Sequence, residues 1–258
     1  MSFLATIGRI FITFLEVNGR IALFAGEAVS HCVRPPWYPQ LIVRQMLDIG
    51  YFSLPVVGLT ALFTGMVLAL QSYTGFARFS AEGAVATVVV LSMTRELGPV
   101  IAGLMVAGRI GASMAAEIGT MRVTEQIDAL TTLSTNPFKY LVAPRLIAGL
   151  TMLPLLVLVA DVIGVFGGYL VGVYKLNFNP AAYLKRTVDY LEFMDVVSGL
   201  VKAAAFGFLV SLMGCFHGYH SQGGAQGVGR ATTNAVVSAS ILILIFNYGI
   251  TEIFFATR

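Results

Sequence analysis

Charge, cysteine and histidine are the scarce ingredients of this 258-residue chain: 11% of its residues are Asp, Glu, Lys or Arg, two are cysteines and three are histidines. Water-soluble domains are roughly 25% charged, so bulk water is the wrong solvent for it. Cys32 and Cys215 lie far apart and neither opens a CxxC, which excludes a disulfide framework and a zinc knuckle. His217 and His220 share an i, i+3 spacing, but Cys215 points to nearly the opposite side of a helix from His217, so no metal site is expected. The sequence has no GxxxxGK(S/T) loop, no HExxH, no GxSxG and no paired aspartates within an apolar run. The chain is therefore not expected to be an enzyme, and any energy for transport must come from a partner subunit or an ion gradient. Its 16 Lys and Arg residues are dispersed, with a net charge of +3, so nucleic acid is not an expected partner. The N-terminal run has no basic segment before it and is interrupted by Glu16, which argues against a cleaved signal peptide.

What the chain does have is apolar length: 57% of its residues are hydrophobic and the mean hydropathy is +0.83. A membrane-spanning helix needs about 20 mostly apolar residues. The pattern predicts an all-α integral membrane protein, a single domain over 1–258, with five spans at 51–71, 84–118, 141–173, 196–217 and 234–256. About 35 residues of continuous helix in the second span would reach roughly 50 Å, beyond a hydrocarbon core of about 30 Å, so its far end must emerge into water.

Residues 1–36 form an amphipathic segment, with Arg9, Thr13, Glu16 and Arg20 on one side and Ile7, Ile10, Phe11 and Phe14 on the other. An interfacial helix is expected there, the alternative being an ordinary helix packed on the bundle. Arg34-Pro35-Pro36-Trp37-Tyr38-Pro39 then reads as a turn at headgroup level.

With the N-terminus inside, cytoplasmic segments hold Arg9, Arg20, Arg34, Arg44, Arg109, Arg122, Lys139, Arg145 and Arg230. The outer segments hold Arg78, Lys175, Lys185, Arg186 and Arg258. The bias predicts a cytoplasmic N-terminus and an external C-terminus. Small residues recur every fourth position at Gly103, Ala107, Gly111, Ala115 and Gly119, at Ala160, Gly164, Gly168 and Gly172, and at Gly199, Ala203, Gly207 and Ser211. Such ridges let helices pack closely in lipid and identify no particular chemistry.

Arg95-Glu96-Leu97-Gly98-Pro99 places two ionisable groups about 17 Å into the second span. A charge at that depth costs at least about 2.5 kcal/mol, so each needs a polar partner or a cavity. Adjacent residues point about 100° apart on a helix, so Arg95 and Glu96 need other neighbours than each other. Pro99 removes a backbone donor opposite the Arg95 carbonyl, freeing that acceptor and bending the helix. Lys202 and Asp161 fall toward the outer leaflet of the fourth and third spans. One reading is a cavity whose Arg95 and Lys202 attract a phosphate headgroup. The other is an Asp161–Lys202 ion pair that merely braces two helices.

Between the second and third spans, residues 119–135 place Val123, Ile127 and Leu130 on one helical face, with Glu125, Gln126 and Asp128 elsewhere, and stop at Asn136-Pro137. A short amphipathic helix results, either an inter-helix connector or a dock for a soluble partner.

Three runs then carry a resemblance: Thr94-Arg95-Glu96-Leu97-Gly98-Pro99-Val100, Ala107-Gly108-Arg109-Ile110-Gly111-Ala112, and the stretch from Ala115 through Glu117-Ile118-Gly119-Thr120-Met121-Arg122-Val123-Thr124-Glu125-Gln126-Ile127-Asp128 to Leu130. Together with Gly65-Met66-Val67-Leu68-Ala69-Leu70-Gln71 and Gly229-Arg230-Ala231-Thr232-Thr233, they make the chain resemble the MlaE/YrbE permease family over nearly its whole length. The resemblance implies the membrane subunit of an ABC-type phospholipid transporter that maintains outer-membrane lipid asymmetry from the inner membrane of Gram-negative bacteria. It implies a homodimer with a cytoplasmic ATPase (MlaF-like) that binds ATP, a STAS-domain companion (MlaB-like), a periplasmic MCE-domain hexamer (MlaD-like) and a soluble lipid carrier. Glu117, Arg122, Glu125, Gln126 and Asp128 would belong to a coupling helix seated in the ATPase, and Arg95 and Glu96 would line a lipid cavity with Lys202 and Asp161 as further candidates. The competing reading is an ion-coupled secondary carrier using Arg95, Glu96, Asp161 and Lys202 as a charge relay.

Overall fold

The computed structural model describes residues 3–79 and 81–255, with the side chains of residues 3–7, 10, 14, 79 and 82 outside the description. The expected apolar side of the N-terminal segment is thus described only at Phe11. Its first helix, α1 (Phe3–Val33), is followed by α2 (Pro39–Ile49) and α3 (Leu54–Phe76), then α4 (Val85–Ser92), α5 (Gly98–Val106), α6 (Ala112–Val123) and α7 (Gln126–Thr132). α8 (Ala143–Tyr174), α9 (Pro180–Asp189), α10 (Phe193–Tyr219) and α11 (Gly224–Phe255) complete the chain. Some of these labels subdivide longer rods, and among the described residues five rods are long and apolar enough to cross a membrane: Pro39–Phe76, Val85–Val123, Phe138–Tyr174, Phe193–Tyr219 and Gly224–Phe255.

The rods are longer than composition suggested. Pro39 sits in the first turn of α2, where a missing N–H costs nothing, so the expected proline turn also starts the helix that leads into the first span. The fifth rod begins at Gly224 rather than near 234, because small and polar residues there continue the helix without being apolar enough to read as membrane. A further helix, α9, lies between the expected third and fourth spans. Asn179 caps it, its side chain accepting from the Ala181 and Ala182 N–H groups at 3.0 and 3.2 Å ahead of Pro180. That Asn-Pro pair followed by Tyr183 and Thr187 on one face was the signal available in sequence.

α8 is the central element, packed along α3 on one side and α10 on the other, while α10 in turn carries α6 and α11. Small residues make these contacts possible. A Cβ built on Gly65 of α3 would fall on the Gly164 carbonyl of α8, so only glycine lets the two backbones lie that close. All three ridges face neighbouring helices: Gly111 and Ala115 meet Gly214 and Gly218, Gly164 meets Gly65, and Gly207 meets Gly149.

α1 combines both expected arrangements. Its C-terminal half docks through Phe24 and Ala28, with the Phe24 ring 5.0 Å from Phe138 and 5.5 Å from Phe216. Its N-terminal half leaves Phe11, Ile12 and Leu15 exposed and pairs Arg20 with Glu16 on the polar side at 3.3 Å. Phe11 and Leu15 point away from the Glu16–Arg20 pair, an amphipathic division that suits the membrane interface.

Gly65→Ala is expected to destabilise the bundle by about 1–3 kcal/mol by forcing α3 off α8. Gly75→Ala, at a position with open space around it, should be neutral or stabilising by up to about 1 kcal/mol. Thermal unfolding in one detergent compares the two, and equal melting temperatures would refute the packing argument.

Candidate functional site

The second span is not a uniform α-helix. Residues Met93–Leu97 and Ala107–Gly111 form π-helical turns, in which the ladder skips a residue. The first follows from chemistry read in the sequence. Pro99 has no N–H to offer the Arg95 carbonyl, the Gly98 N–H reaches back to Met93, and the helix widens between them.

The acceptor thus released is filled from another helix. Lys202 Nζ on α10 donates to the Arg95 carbonyl at 2.8 Å and to Glu96 Oε1 at 2.7 Å. Lys202 is 0% exposed. It reaches the turn because Gly199, nearly one turn earlier, brings α10 against the Thr94 carbonyl, where a Cβ would not fit.

Glu96 is also held from α11, where Asn247 Nδ2 donates to its Oε2 at 2.9 Å and Thr251 Oγ1 to its Oε1 at 3.0 Å. Arg95 turns the other way. Its Nε and Nη2 lie 2.8 and 2.7 Å from Asp195 Oδ1, and its guanidinium carbon sits 4.7 Å from the centre of the Phe255 ring. Asp195, wholly buried, spends its other oxygen accepting the Glu192 N–H at 3.1 Å, in a reciprocal capping box at the start of α10.

The four sequence-predicted residues thus divide. Arg95, Glu96 and Lys202 come together in one cluster, but Lys202 finds its carboxylate in Glu96 rather than in Asp161. No Asp161–Lys202 brace forms, and Asp161 lies behind the cluster, where its Oδ1 rests against Gly98 with no hydrogen-bond partner. A relay through all four charges has no geometric basis. The residues missed are Asp195, Asn247 and Thr251. Asp195 was legible as the N3 acid of a capping box, whereas a lone Asn and Thr in an apolar helix carry no pattern that names their partner.

At the other end of the second span, α6 continues to Val123, and Glu125 then breaks it in the left-handed region at φ 61° before α7 begins. The expected single amphipathic helix is two pieces with a corner. Ile127 is buried beneath the corner. Arg122 braces it to Asp128 at 2.7 Å, and Glu117 binds the buried Arg145 of α8 at 2.7 Å. Glu125 and Gln126 remain exposed. The five positions of the expected surface therefore divide: Glu117 is tied to α8, Arg122 and Asp128 bridge the corner, and Asp128, Glu125 and Gln126 are exposed.

His217 hydrogen-bonds Ser238 Oγ at 3.0 Å and His220 the Phe216 carbonyl at 2.8 Å. Among the described residues no group of three His, Cys, Asp or Glu is placed to hold a metal ion.

Comparison with known proteins gives this geometry a family. The "Permease MlaE" family model matches residues 42–253. A "Probable ABC transporter permease protein" of Rickettsia felis is 65% identical over 250 residues, 97% of this chain and 96% of its own length. The "Intermembrane phospholipid transport system permease protein MlaE" of Haemophilus influenzae is 34% identical over 258 residues, covering 99% and 98%. "Protein TRIGALACTOSYLDIACYLGLYCEROL 1, chloroplastic" of Arabidopsis thaliana is 35% identical over 237 residues, 91% of this chain and 67% of its own. The chain that carries this cluster and this corner is thus an ABC-transporter permease and belongs to the MlaE family.

Proposed function

We propose that this permease moves phospholipid between the inner and outer membranes of a Gram-negative bacterium, maintaining outer-membrane lipid asymmetry, with ATP bound and hydrolysed by a separate cytoplasmic subunit. One observation carries the reading: a single rod, Val85–Val123, joins a cluster of paired charges inside the bundle to an exposed corner just past its far end. Movement imposed at one end is delivered to the other. The name of the Haemophilus relative supports phospholipid as cargo.

In this reading the α7 end is cytoplasmic, in keeping with the excess of Lys and Arg there, and the C-terminus is periplasmic. Glu125 and Gln126 meet the ATPase, which a STAS-domain subunit accompanies, and a hexamer of MCE-domain subunits sits on the α9 side. The working unit is a homodimer. α11 leaves Val237, Ile241, Leu244, Ile245 and Tyr248 exposed along the helix whose Asn247 and Thr251 grip Glu96. A second copy seated on that face would enclose both clusters in one cavity.

Within it, Arg95 is the cation available to a headgroup. Its side chain is 31% exposed; Nε and Nη2 are committed to Asp195, and Nη1 has no hydrogen bond among the described residues. A guanidinium edge suits a phosphate oxygen. Lys202, buried and doubly engaged, holds the turn in shape.

Two measurements test the reading. Arg95→Ala alone would strand buried Asp195, a loss of about 3–5 kcal/mol when one member of a buried pair is removed, so the informative variant is Arg95→Gln with Asp195→Asn. Phospholipid retained per purified protein, read by mass spectrometry, should fall severalfold, and unchanged retention would remove Arg95 from the lipid path. At the corner, Glu125→Lys should lower recovery of the ATPase with the permease at unchanged permease yield. Glu125→Gly should raise permease stability by about 1 kcal/mol, because glycine occupies the left-handed region without the Cβ penalty. Full ATPase recovery with Glu125→Lys would sink the coupling assignment.

A further inference from the structure

The outer half of the second span presents one open stripe. Residues 85–86, 89–90 and 93–94 are buried, whereas the pairs between them, Thr87-Val88, Leu91-Ser92 and Arg95-Glu96, are half-buried. Arg95 thus stands at the inner end of a strip of helix surface whose outer end is Thr87-Val88, about 10–12 Å away. An open cleft of about 620 Å³ lies at that outer end, between the start of the second span and α9. Gly83, Thr87 and Val88 line one side, and Lys185, Arg186 and Asp189 the other.

α9 has three faces. Tyr183 and Thr187 are buried, Leu184 and Val188 are 51% and 71% exposed, and Lys185, Arg186 and Asp189 share the remaining side. An apolar edge left open beside a charged one is the pattern of a helix lying in a membrane surface, and it puts the two cations at headgroup depth. Neither cation is committed: among the described residues the side chains of Lys185 and Arg186 make no hydrogen bond or ion pair, Asp189 beside them included. Arg186 is nevertheless held in place. A Cβ built on Gly83 would fall on its guanidinium, so the planar group rests on the glycine backbone with its donors unspent. Thr87 adds another uncommitted group. Thr60, Thr64 and Thr94 each bond the carbonyl four residues earlier, whereas the Thr87 hydroxyl makes no hydrogen bond among the described residues.

We infer, resting on Arg95 as the central headgroup contact, that this cleft is the outer station of the lipid path: Lys185 and Arg186 bind the phosphodiester of a phospholipid whose chains point along the Val88-Leu91 stripe toward Arg95. A guanidinium fork and an ammonium in one cleft suit the two unesterified oxygens of that phosphate. Cations at the rim and apolar side chains along the stripe also fix the orientation, headgroup outward and chains inward, which is how a lipid stands in the outer leaflet. Asp189 competes with the phosphate for both cations and keeps the hold weak enough for release.

The test uses the full chain in nanodiscs of digalactosyldiacylglycerol, a bilayer lipid without phosphate, and a phosphatidylglycerol probe carrying a photoactivatable group on its headgroup. Labelling should concentrate in peptides covering 83–92 and 181–190 and fall about tenfold in Lys185→Gln with Arg186→Gln. Both side chains are exposed, so that variant should keep the parent's melting temperature. Lys185→Arg with Arg186→Lys should retain labelling, and Asp189→Asn should raise it. A probe whose phosphate is replaced by an uncharged ether should label these peptides about tenfold less. Unlabelled phosphatidylglycerol should compete and inorganic phosphate should not. Equal labelling by the ether probe, unchanged labelling in the double glutamine variant, or displacement by inorganic phosphate, which would assign the cleft to the free ion, would overturn the inference. Phospholipid retention in Arg95→Gln with Asp195→Asn reads the central contact and this labelling reads the outer one, so the two can fail separately.

Discussion

The buried ammonium of Lys202 is the constraint around which the rest is arranged. A lysine with no exposed surface in the middle of an apolar bundle is tolerable only if a carboxylate and further acceptors meet it. Glu96 supplies the carboxylate and the Arg95 carbonyl supplies the acceptor. That carbonyl is available only because Pro99 vacates it, and α10 comes close enough only because position 199 is glycine. Glu96 then holds α11 through Asn247 and Thr251, and Arg95, turned away by its adjacency, holds the start of α10 through Asp195. Two spans are tied to one turn of the second, and the interactions are interdependent: loss of the proline kink removes the acceptor, and loss of the acceptor leaves an ammonium short of a partner.

Charge at such depth cannot be the source of the bundle's stability, since buried ion pairs roughly balance their own desolvation. Cohesion comes from the ridges of small residues, where backbones touch without a hydrophobic drive between them. The polar cluster instead selects one register: a helix packed by glycine and alanine could slide or rotate at little cost, but only one placement puts Lys202 beneath the Arg95 carbonyl. A sparse polar cluster for register and abundant small residues for contact form a division of labour suited to a transporter, because the first can be rearranged while the second is retained.

How far the sequence disclosed this depended on whether the relevant interaction was local. The spans, the projecting second rod, the freed carbonyl of Arg95 and the need of Arg95 and Glu96 for separate partners all follow from periodicity, proline chemistry and helical geometry along one segment. Identifying the partners was a tertiary question. Lys202 and Asp161 lie at comparable depth on neighbouring spans, and nothing in spacing says that Glu96 rather than Asp161 receives the ammonium; the packing of α10 at Gly199 decides it. The corner at Glu125 was hidden for a different reason. Its flanking residues keep a helical repeat, and a left-handed residue that is neither glycine nor asparagine gives no local sign, so one continuous helix was the natural reading of 119–135. α9 was missed because a ten-residue helix at a membrane surface carries too little apolar length to stand out against the spans.

The corner and the cluster gain meaning together. A non-glycine residue held at positive φ carries strain of about 1–2 kcal/mol, which persists where the surroundings over-determine it, and here Ile127 beneath and the Arg122–Asp128 bridge beside it do so. The corner is thus a rigid handle, and Glu117 fastens the same stretch of α6 to α8 through Arg145. Between handle and cluster the rod is interrupted by a π-turn at Ala107–Gly111, and the cluster itself sits on a second, at Met93–Leu97. Such a turn carries one residue more than an α-turn, and passing that residue along a helix exchanges hydrogen-bond partners while rotating the far segment. In the proposed reading, a push from the ATPase on this handle reaches Arg95 and Glu96 as rotation instead of being absorbed by bending. Rotation there would loosen the Lys202 contacts on one side and the Asp195 contact on the other, and these are the contacts that set the register of α10 and α11. The bundle would release its polar lock while the glycine ridges still hold it together.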